Sequence, residues 1–237
     1  MKFYKYNNLF DEDLSVIPER GKLISTINQY SFCLAENDPD FLESLKGSDV
    51  LLPDGEGVVW AANYLEGKKI RKIAGEDLFY FFMRYLEQQK GSCFFLGSSE
   101  ETLNLIVKRA KRDFPHVRVG TYSPPFKQVF TDLDSEKMKQ QVNSFNADVL
   151  FVGMTAPKQE KWAFKYHDDL KVSYICCIGA VFDFYAQTIK RPNKIWIKLR
   201  LEWLARLIKE PKRMWTRYVE FGPVFINRIF EIKKQMQ

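Results

Sequence analysis

The chain has 237 residues, 46% of them hydrophobic and 28% charged, with a formal net charge of +6. That size and apolar share exclude a globally disordered chain and support one domain, or one and a half, around a substantial core. The charge is unevenly placed: residues 190–234 hold 13 Lys/Arg against four Glu, which leaves residues 1–189 at net −3.

Taken in chain order, the pattern predicts strands that alternate with helices. Leu23–Ile27 is a short apolar run ending at Asn28, before a helix. Asp38-Pro39-Asp40 lies between helical segments, where capping is the expected use of the acids. Asp49–Leu52 is a second strand, stopped by Pro53-Asp54-Gly55, and Gly57–Leu65 and Phe79–Gln89 have helical composition. Cys93–Leu96 leads through Gly97-Ser98-Ser99 into a helix from Glu100 to about Arg112, with Ser98 or Ser99 as cap. Val117–Val119 reads as a strand, Thr121–Phe130 as a proline-containing loop and Ser135–Asn146 as a helix. Asp148–Val152 is a strand leading to Gly153-Met154-Thr155-Ala156-Pro157, after which Lys158–Tyr166 restarts as helix. Val172–Ile178 is the last strong strand and ends at Gly179-Ala180, which puts Asp183 at a strand end. This order predicts an α/β fold: a Rossmann-like, mostly parallel sheet with helices on both faces. Ligands then bind beyond the carboxyl ends of the strands. No GxGxxG fingerprint is present, so no nicotinamide cofactor is expected.

The C-terminal residues predict a basic helical appendage, 190–237, on a catalytic body, 1–189. Asn193–Glu210 carries Trp196, Leu199, Trp203 and Leu207 on one stripe. Pro211 starts a second helix, Phe221-Gly222-Pro223 is expected to end it, and Val224–Phe230 is a short apolar extension. Trp, Tyr and Lys/Arg together suit an anionic membrane surface, so the second helix and the extension read as an interface. On that reading, truncation after Leu199 yields a more soluble but poorly active protein. No window of about 18 uncharged apolar residues and no signal-peptide pattern is seen. With four cysteines lacking CxxC spacing, this predicts a cytoplasmic protein with reduced, buried thiols.

Chemistry concentrates in the strand-end loops. Asp54, after an apolar strand and before Gly55 and Gly57, is a carboxylate that caps the next helix, makes an Asx turn, or accepts a proton from a hydroxyl nucleophile. The two glycines let backbone amides approach a ligand. Gln159 and Glu160 open a helix and either read ligand hydroxyls or supply helix N-terminal polarity. Asp183 holds substrate or a backbone amide, and Asn28 anchors donor or loop. His116 and His167 have no partners at ligand spacing, so no metal is expected.

In order, the motifs resemble the WecG/TagA/CpsF glycosyltransferases, glycosyltransferase family 26, from about Leu23 to Tyr218. They are Thr26-x-Asn28, Pro53-Asp54-Gly55-Glu56-Gly57-Val58-Val59-Trp60-Ala61-Ala62, Gly75-Glu76-Asp77-Leu78, and Phe94-Phe95-Leu96-Gly97. They continue with Gly153-x-x-x-Pro157-Lys158-Gln159-Glu160, Gly179-Ala180-Val181-Phe182-Asp183-Phe184, Lys190-Arg191, and Leu201-Glu202-Trp203-Leu204-x-Arg206-Leu207-x-x-Glu210-Pro211-x-Arg213. The resemblance implies inverting transfer of a sugar from a UDP-sugar to a polyprenyl-diphosphate-linked sugar for a cell-surface polysaccharide. The implied donor is UDP-N-acetylmannosamine, its uronic acid, or UDP-glucose, with neither metal nor other cofactor. It also implies Asp54 as base, Thr26 positioning substrate, and an appendage that supplies Arg and associates with the inner face of the bacterial plasma membrane. Arg191, Arg206, Arg213 and Arg217 are the candidates to meet the diphosphate, with Asn28, Gly55, Gly57, Gly97, Gln159, Glu160 and Asp183 as further binding residues. A homo-oligomer is compatible with this reading. The competing classes are a basic α/β nucleic-acid-binding protein and a non-catalytic membrane-associated scaffold. The tail matches no recognised nucleic-acid module and the net-acidic body offers no broad groove, so nucleic acid is not the expected partner.

Overall fold

The computed structural model describes residues 3–19, 21–189, 196, 202–209 and 211–236. Six strands form one parallel sheet: β1 (Leu23–Ile27), β2 (Val50–Pro53), β3 (Ser92–Gly97), β4 (Arg118–Tyr122), β5 (Val149–Gly153) and β6 (Tyr174–Cys177), in the order β2-β1-β6-β5-β3-β4. β2, β3 and β5 are buried along their whole length, which is why they read as uninterrupted apolar runs. Along β3, Cys93 and Phe95 join a core cluster on one face, while Phe94 and Leu96 join another on the opposite face.

The helices are α1 (Gln29–Asn37), α2 (Pro39–Lys46), α3 (Glu56–Glu66), α4 (Gly75–Gln89), α5 (Glu100–Asp113), α6 (Asp132–Phe145), α7 (Lys158–Tyr166) and α8 (Val181–Ala186). Phe79, Phe82, Met83, Leu103, Ile106, Phe182 and Tyr185 of α4, α5 and α8 pack on one face of the sheet. Met138, Val142, Trp162 and Ala163 of α6 and α7 pack on the other. A third cluster unites α1, α2 and α3 with Phe3, Tyr6 and Leu9 at the β2 edge.

Several boundaries differ from the sequence expectation, each for a local reason. α6 starts three residues early because Thr131 and Asp134 form a reciprocal capping box. α4 starts at Gly75, where Asp77 Oδ2 accepts from Ala74 N at 2.8 Å. β4 extends to Tyr122 because Thr121 and Tyr122 pair with Phe95 and Leu96. Asp38 caps α2, accepting from Phe41 N at 3.1 Å, with Pro39 in the first turn, as the spacing suggests. Asp183 does not end a strand: β6 stops at Cys177 and Asp183 lies in α8.

At the C-terminus come α9 (Glu202–Lys209), α10 (Pro211–Trp215), a π-helical turn at Thr216–Glu220, and α11 (Phe221–Gln235). The expected stop at Phe221-Gly222-Pro223 is absent. Pro223 follows directly on the π-helical turn, where the Phe221 N–H reaches back five residues to Thr216 O, and that widened register accommodates a proline so that the helix runs on. The expectation that this extension is chiefly an external interface is also corrected. Phe225, Ile229 and Ile232 are buried against α1 and α3, with the Phe225 ring edge-on to Phe32 at 5.2 Å. Arg228 pairs with Glu36 at 2.9 Å and donates to Tyr4 Oη at 3.1 Å. The opposite side of α11 leaves Val224, Ile226 and Phe230 exposed, with Phe230 against Trp60 and Tyr64. Cutting the chain after Leu199 therefore removes part of a core, and the gain in solubility expected from sequence does not follow. Among the described residues no helix is long and apolar enough to cross a membrane.

Candidate active site

The strand-end loops converge on one cleft of about 1300 Å³. It opens beyond the carboxyl ends of the sheet, where the chain returns from the β3–β4 edge to place β5 and β6 in the middle. Thr26, Asn28, Asp54, Gly55, Gly57, Gln159, Glu160, Asp183 and Arg217 all line it. Gly97 does not. It holds φ +123°, and a Cβ there would lie 2.5 Å from Gly153 O, so a glycine lets β3 end flush against β5. Arg191 and the side chains of Arg206 and Arg213 lie outside the described residues.

Asp54 is half-buried and rides on a strongly fixed backbone. Its N–H donates to Ile27 O at 2.8 Å, extending the β1–β2 ladder by one bond, and Pro53 O accepts from Ile73 N at 3.0 Å. The next helix is capped by Gly55, at φ 150°, with no side-chain cap hydrogen bond. The N-cap position of α3 is thus Gly55, and Asp54 stands one residue before it. Asn28 does cap: its Oδ1 accepts from Tyr30 N at 3.0 Å and Ser31 N at 3.1 Å, and Ser31 Oγ answers its own N–H. One face of Asn28 is therefore committed to starting α1 at the cleft wall.

Gln159 and Glu160 differ from the polar helix start that the sequence suggested, since both are buried. Gln159 Oε1 accepts from Met154 N at 3.2 Å and Gly179 N at 3.1 Å, joining the loops after β5 and β6. Its Nε2 donates to Glu160 Oε1 at 2.8 Å. Glu160 Oε2 has no hydrogen-bond partner among the described residues. Burial raises the Glu160 carboxyl to about 7, against a smaller opposing effect of the Gln159 amide.

Three cations face the cleft among the described residues. Arg217 comes from the π-helical turn, its guanidinium 5.0 Å from the Tyr30 ring centre. Lys72 comes from the segment between α3 and α4, and Lys158 from the first position of α7. Lys158 Nζ donates to Lys127 O at 2.7 Å and stands over the Phe130 ring at 4.7 Å, and burial lowers its pKa. Sequence reasoning sought cations only in the basic tail and missed both lysines. Lys158 had a signal, since it adjoins Gln159 in the strand-end segment, whereas Lys72 had none. Ser98, Ser99 and Ser123 also line the cleft, as strand-end loops should. Ser99 caps α5, and Ser123 Oγ donates to Ser98 O at 2.7 Å. Among the described residues no group of three or more His, Cys, Asp or Glu side chains is placed to hold a metal ion. All four cysteines are buried and unpaired.

A carboxylate and several cations in one strand-end cleft of a parallel sheet are what a transferase of negatively charged, nucleotide-activated groups requires. The model of the glycosyl transferase WecG/TagA/CpsF family matches residues 4–237, and the chain belongs to that family. It is a glycosyltransferase. Among curated relatives, an N-acetylglucosaminyldiphosphoundecaprenol N-acetyl-beta-D-mannosaminyltransferase of Bacillus subtilis (strain 168) is 29% identical over 215 residues, 91% of this chain and 82% of the relative. The enzyme of the same name from Bacillus spizizenii is 29% identical over 213 residues, covering 90% and 80%. That from Staphylococcus aureus (strain MW2) is 24% identical over 214 residues, covering 90% and 82%.

Proposed function

We propose that this chain transfers an N-acetylmannosaminyl group from UDP to an N-acetylglucosamine carried on polyprenyl diphosphate, with inversion, at the inner face of a bacterial membrane. The donor and acceptor classes are those in the names of its Bacillus and Staphylococcus relatives. The carrying observation is that Asp54 and the cations Lys72, Lys158 and Arg217 line one cleft. Asp54 takes the proton of the acceptor hydroxyl, whose oxygen attacks the anomeric carbon from the face opposite UDP. The new C–O bond forms as the bond to the diphosphate breaks, and the departing diphosphate keeps the electron pair. The cations meet that developing charge. Asp54 afterwards releases its proton to solvent. Thr26, on β1 opposite Leu52 and lining the same cleft as Asp54, positions the reacting sugar, and Asp183, Asn28 and Gln159 hold the donor. The uronic acid and glucose donors of the wider family remain within the same chemistry.

The test is UDP release from a panel of UDP-sugars with a short-chain polyprenyl-diphosphate N-acetylglucosamine acceptor. UDP-N-acetylmannosamine should turn over faster than UDP-glucose or the uronic acid, and only with acceptor present. Preference for another donor would replace the sugar, and the absence of acceptor-dependent release with every donor would overturn the reading.

A further inference from the structure

On the β4 side of the cleft, the β4–α6 connection and the first turn of α6 present three large apolar side chains to water: Phe126 is 105% exposed, Val129 80% and Leu133 82%. Isolated exposed apolar residues are ordinary, but three within eight residues, the first of them lining the cleft, are not. This segment is not loose. Ser123 Oγ holds its start to Ser98 O, and Lys158 Nζ holds its middle through Lys127 O at 2.7 Å. Lys127 Nζ reaches Asp134 Oδ2 at 2.8 Å, and the Thr131–Asp134 capping box closes its end. Both Phe126 and Phe130 line the cleft, Phe130 partly buried against the core and Phe126 fully in solvent. A lip pinned at base, middle and end keeps its apolar residues in solvent at all times, so little ordering entropy opposes their burial in a partner.

Resting on the proposed lipid-linked acceptor, we infer that this lip inserts into the lipid bilayer and holds the cleft mouth against the leaflet. An acceptor sugar joined through a diphosphate to a polyprenyl chain stands only a sugar and a diphosphate above the hydrocarbon, so the rim of its cleft must lie at the bilayer. The opposite rim carries Trp203, also exposed and also lining the cleft, so apolar groups flank the opening on both sides. Charge selects the mode of contact. Lys127 is paired with Asp134, and the neighbouring Asp132 is exposed, so the lip has no net positive charge to offer anionic lipid. Its contribution is apolar insertion, indifferent to headgroup charge and to salt.

The experiment compares the parent with V129S/L133S and with F126S, each first checked for an unchanged thermal midpoint. Binding is measured by co-sedimentation with vesicles of phosphatidylcholine alone and with added phosphatidylglycerol, at low and high salt. V129S/L133S should bind both vesicle types at least about tenfold more weakly, with the ratio to the parent preserved at high salt. It should keep turnover on a short-chain, water-soluble acceptor within about twofold and lose about tenfold on a vesicle-embedded acceptor. F126S should show the same loss of vesicle binding. Parent-like vesicle binding by both variants overturns the inference. So does an equal loss on soluble and embedded acceptors, or a parent oligomer that V129S/L133S disperses, which would make the lip a contact between copies. If no acceptor supports transfer by the parent, the proposed function fails, while vesicle binding still decides whether the lip inserts.

Discussion

The segments that follow β2 and β5 both carry a carboxylate to the same cleft, Asp54 in a loop and Glu160 in the first turn of α7, yet they treat it in opposite ways. Asp54 stands half-exposed on a backbone tied to β1, just before a helix that begins without a side-chain cap. Glu160 is 2% exposed, leans on the Gln159 amide and has one oxygen with no hydrogen-bond partner among the described residues. The contrast shows how burial divides labour between like groups. On the proposed mechanism Asp54, in contact with solvent, exchanges a proton at each turnover, while burial holds the proton on Glu160 up to near neutrality and Gln159 beside it joins the loops after β5 and β6.

The sharpest way to break this contrast is to remove the acid function at the exposed site. Asp54→Asn should lower turnover by about a thousandfold or more while leaving UDP affinity within a few-fold, measured by UDP release and by titration calorimetry. Retained turnover would take the base role away from Asp54.

A change behind the Asp54 turn, where the Phe225 ring packs against Gly57, asks whether the cleft depends on the C-terminal helix for its frame. Phe225→Ala should cost about 4 kcal/mol in urea denaturation, because it empties a site fully enclosed by α1 and α3. A loss below about 1 kcal/mol would mean that α11 is not part of the core.

The enclosed acid is tested through pH. Its folded-state pKa of about 7 lies above the reference value of 4.5, so the folded state binds the extra proton between those limits. Stability is therefore greatest below about pH 4.5 as far as this group is concerned, falls as pH rises through 7, and is lower by about 3 kcal/mol above it. Glu160→Gln should remove that fall, so that the difference in stability between variant and parent grows from pH 5 to pH 8. A pH-independent difference would show that Glu160 is ionised throughout.

The smallest effect separates scaffold from ligand contact at Asn28. Asn28→Ala should cost about 1 kcal/mol through loss of the α1 cap, and Asn28→Asp should restore it. If turnover returns with Asp, the residue serves α1 alone, and if only Asn supports turnover, its amide nitrogen touches ligand.

The strands were legible because a parallel sheet buried on both faces writes itself as compact apolar runs, as at Cys93–Leu96 and Asp148–Val152. The place of Asp54 at the cleft was legible because a strand-end carboxylate before two glycines falls where ligands of a parallel sheet bind. Helix starts were less so: Thr131, Asp134 and Asp77 act through side-chain geometry that composition does not display. The burial of Gln159 and Glu160 was not legible, because a polar pair in a first helical turn gives no sign of enclosure and only the packing of α7 under the sheet provides it. Pro223 was misread because its meaning depends on the register of the turn before it. Lys72 reaches the cleft through the tertiary path between α3 and α4, which no spacing rule encodes.

The union of α11 with Phe3, Tyr6 and Leu9 has a consequence for biosynthesis. A nascent polypeptide leaving the ribosome carries those aromatic groups without the surface that covers them until Phe221–Gln235 has been made. A product halted before α11 leaves that greasy seam bare to proteases, so the fold contains its own audit of whether translation ran to that point.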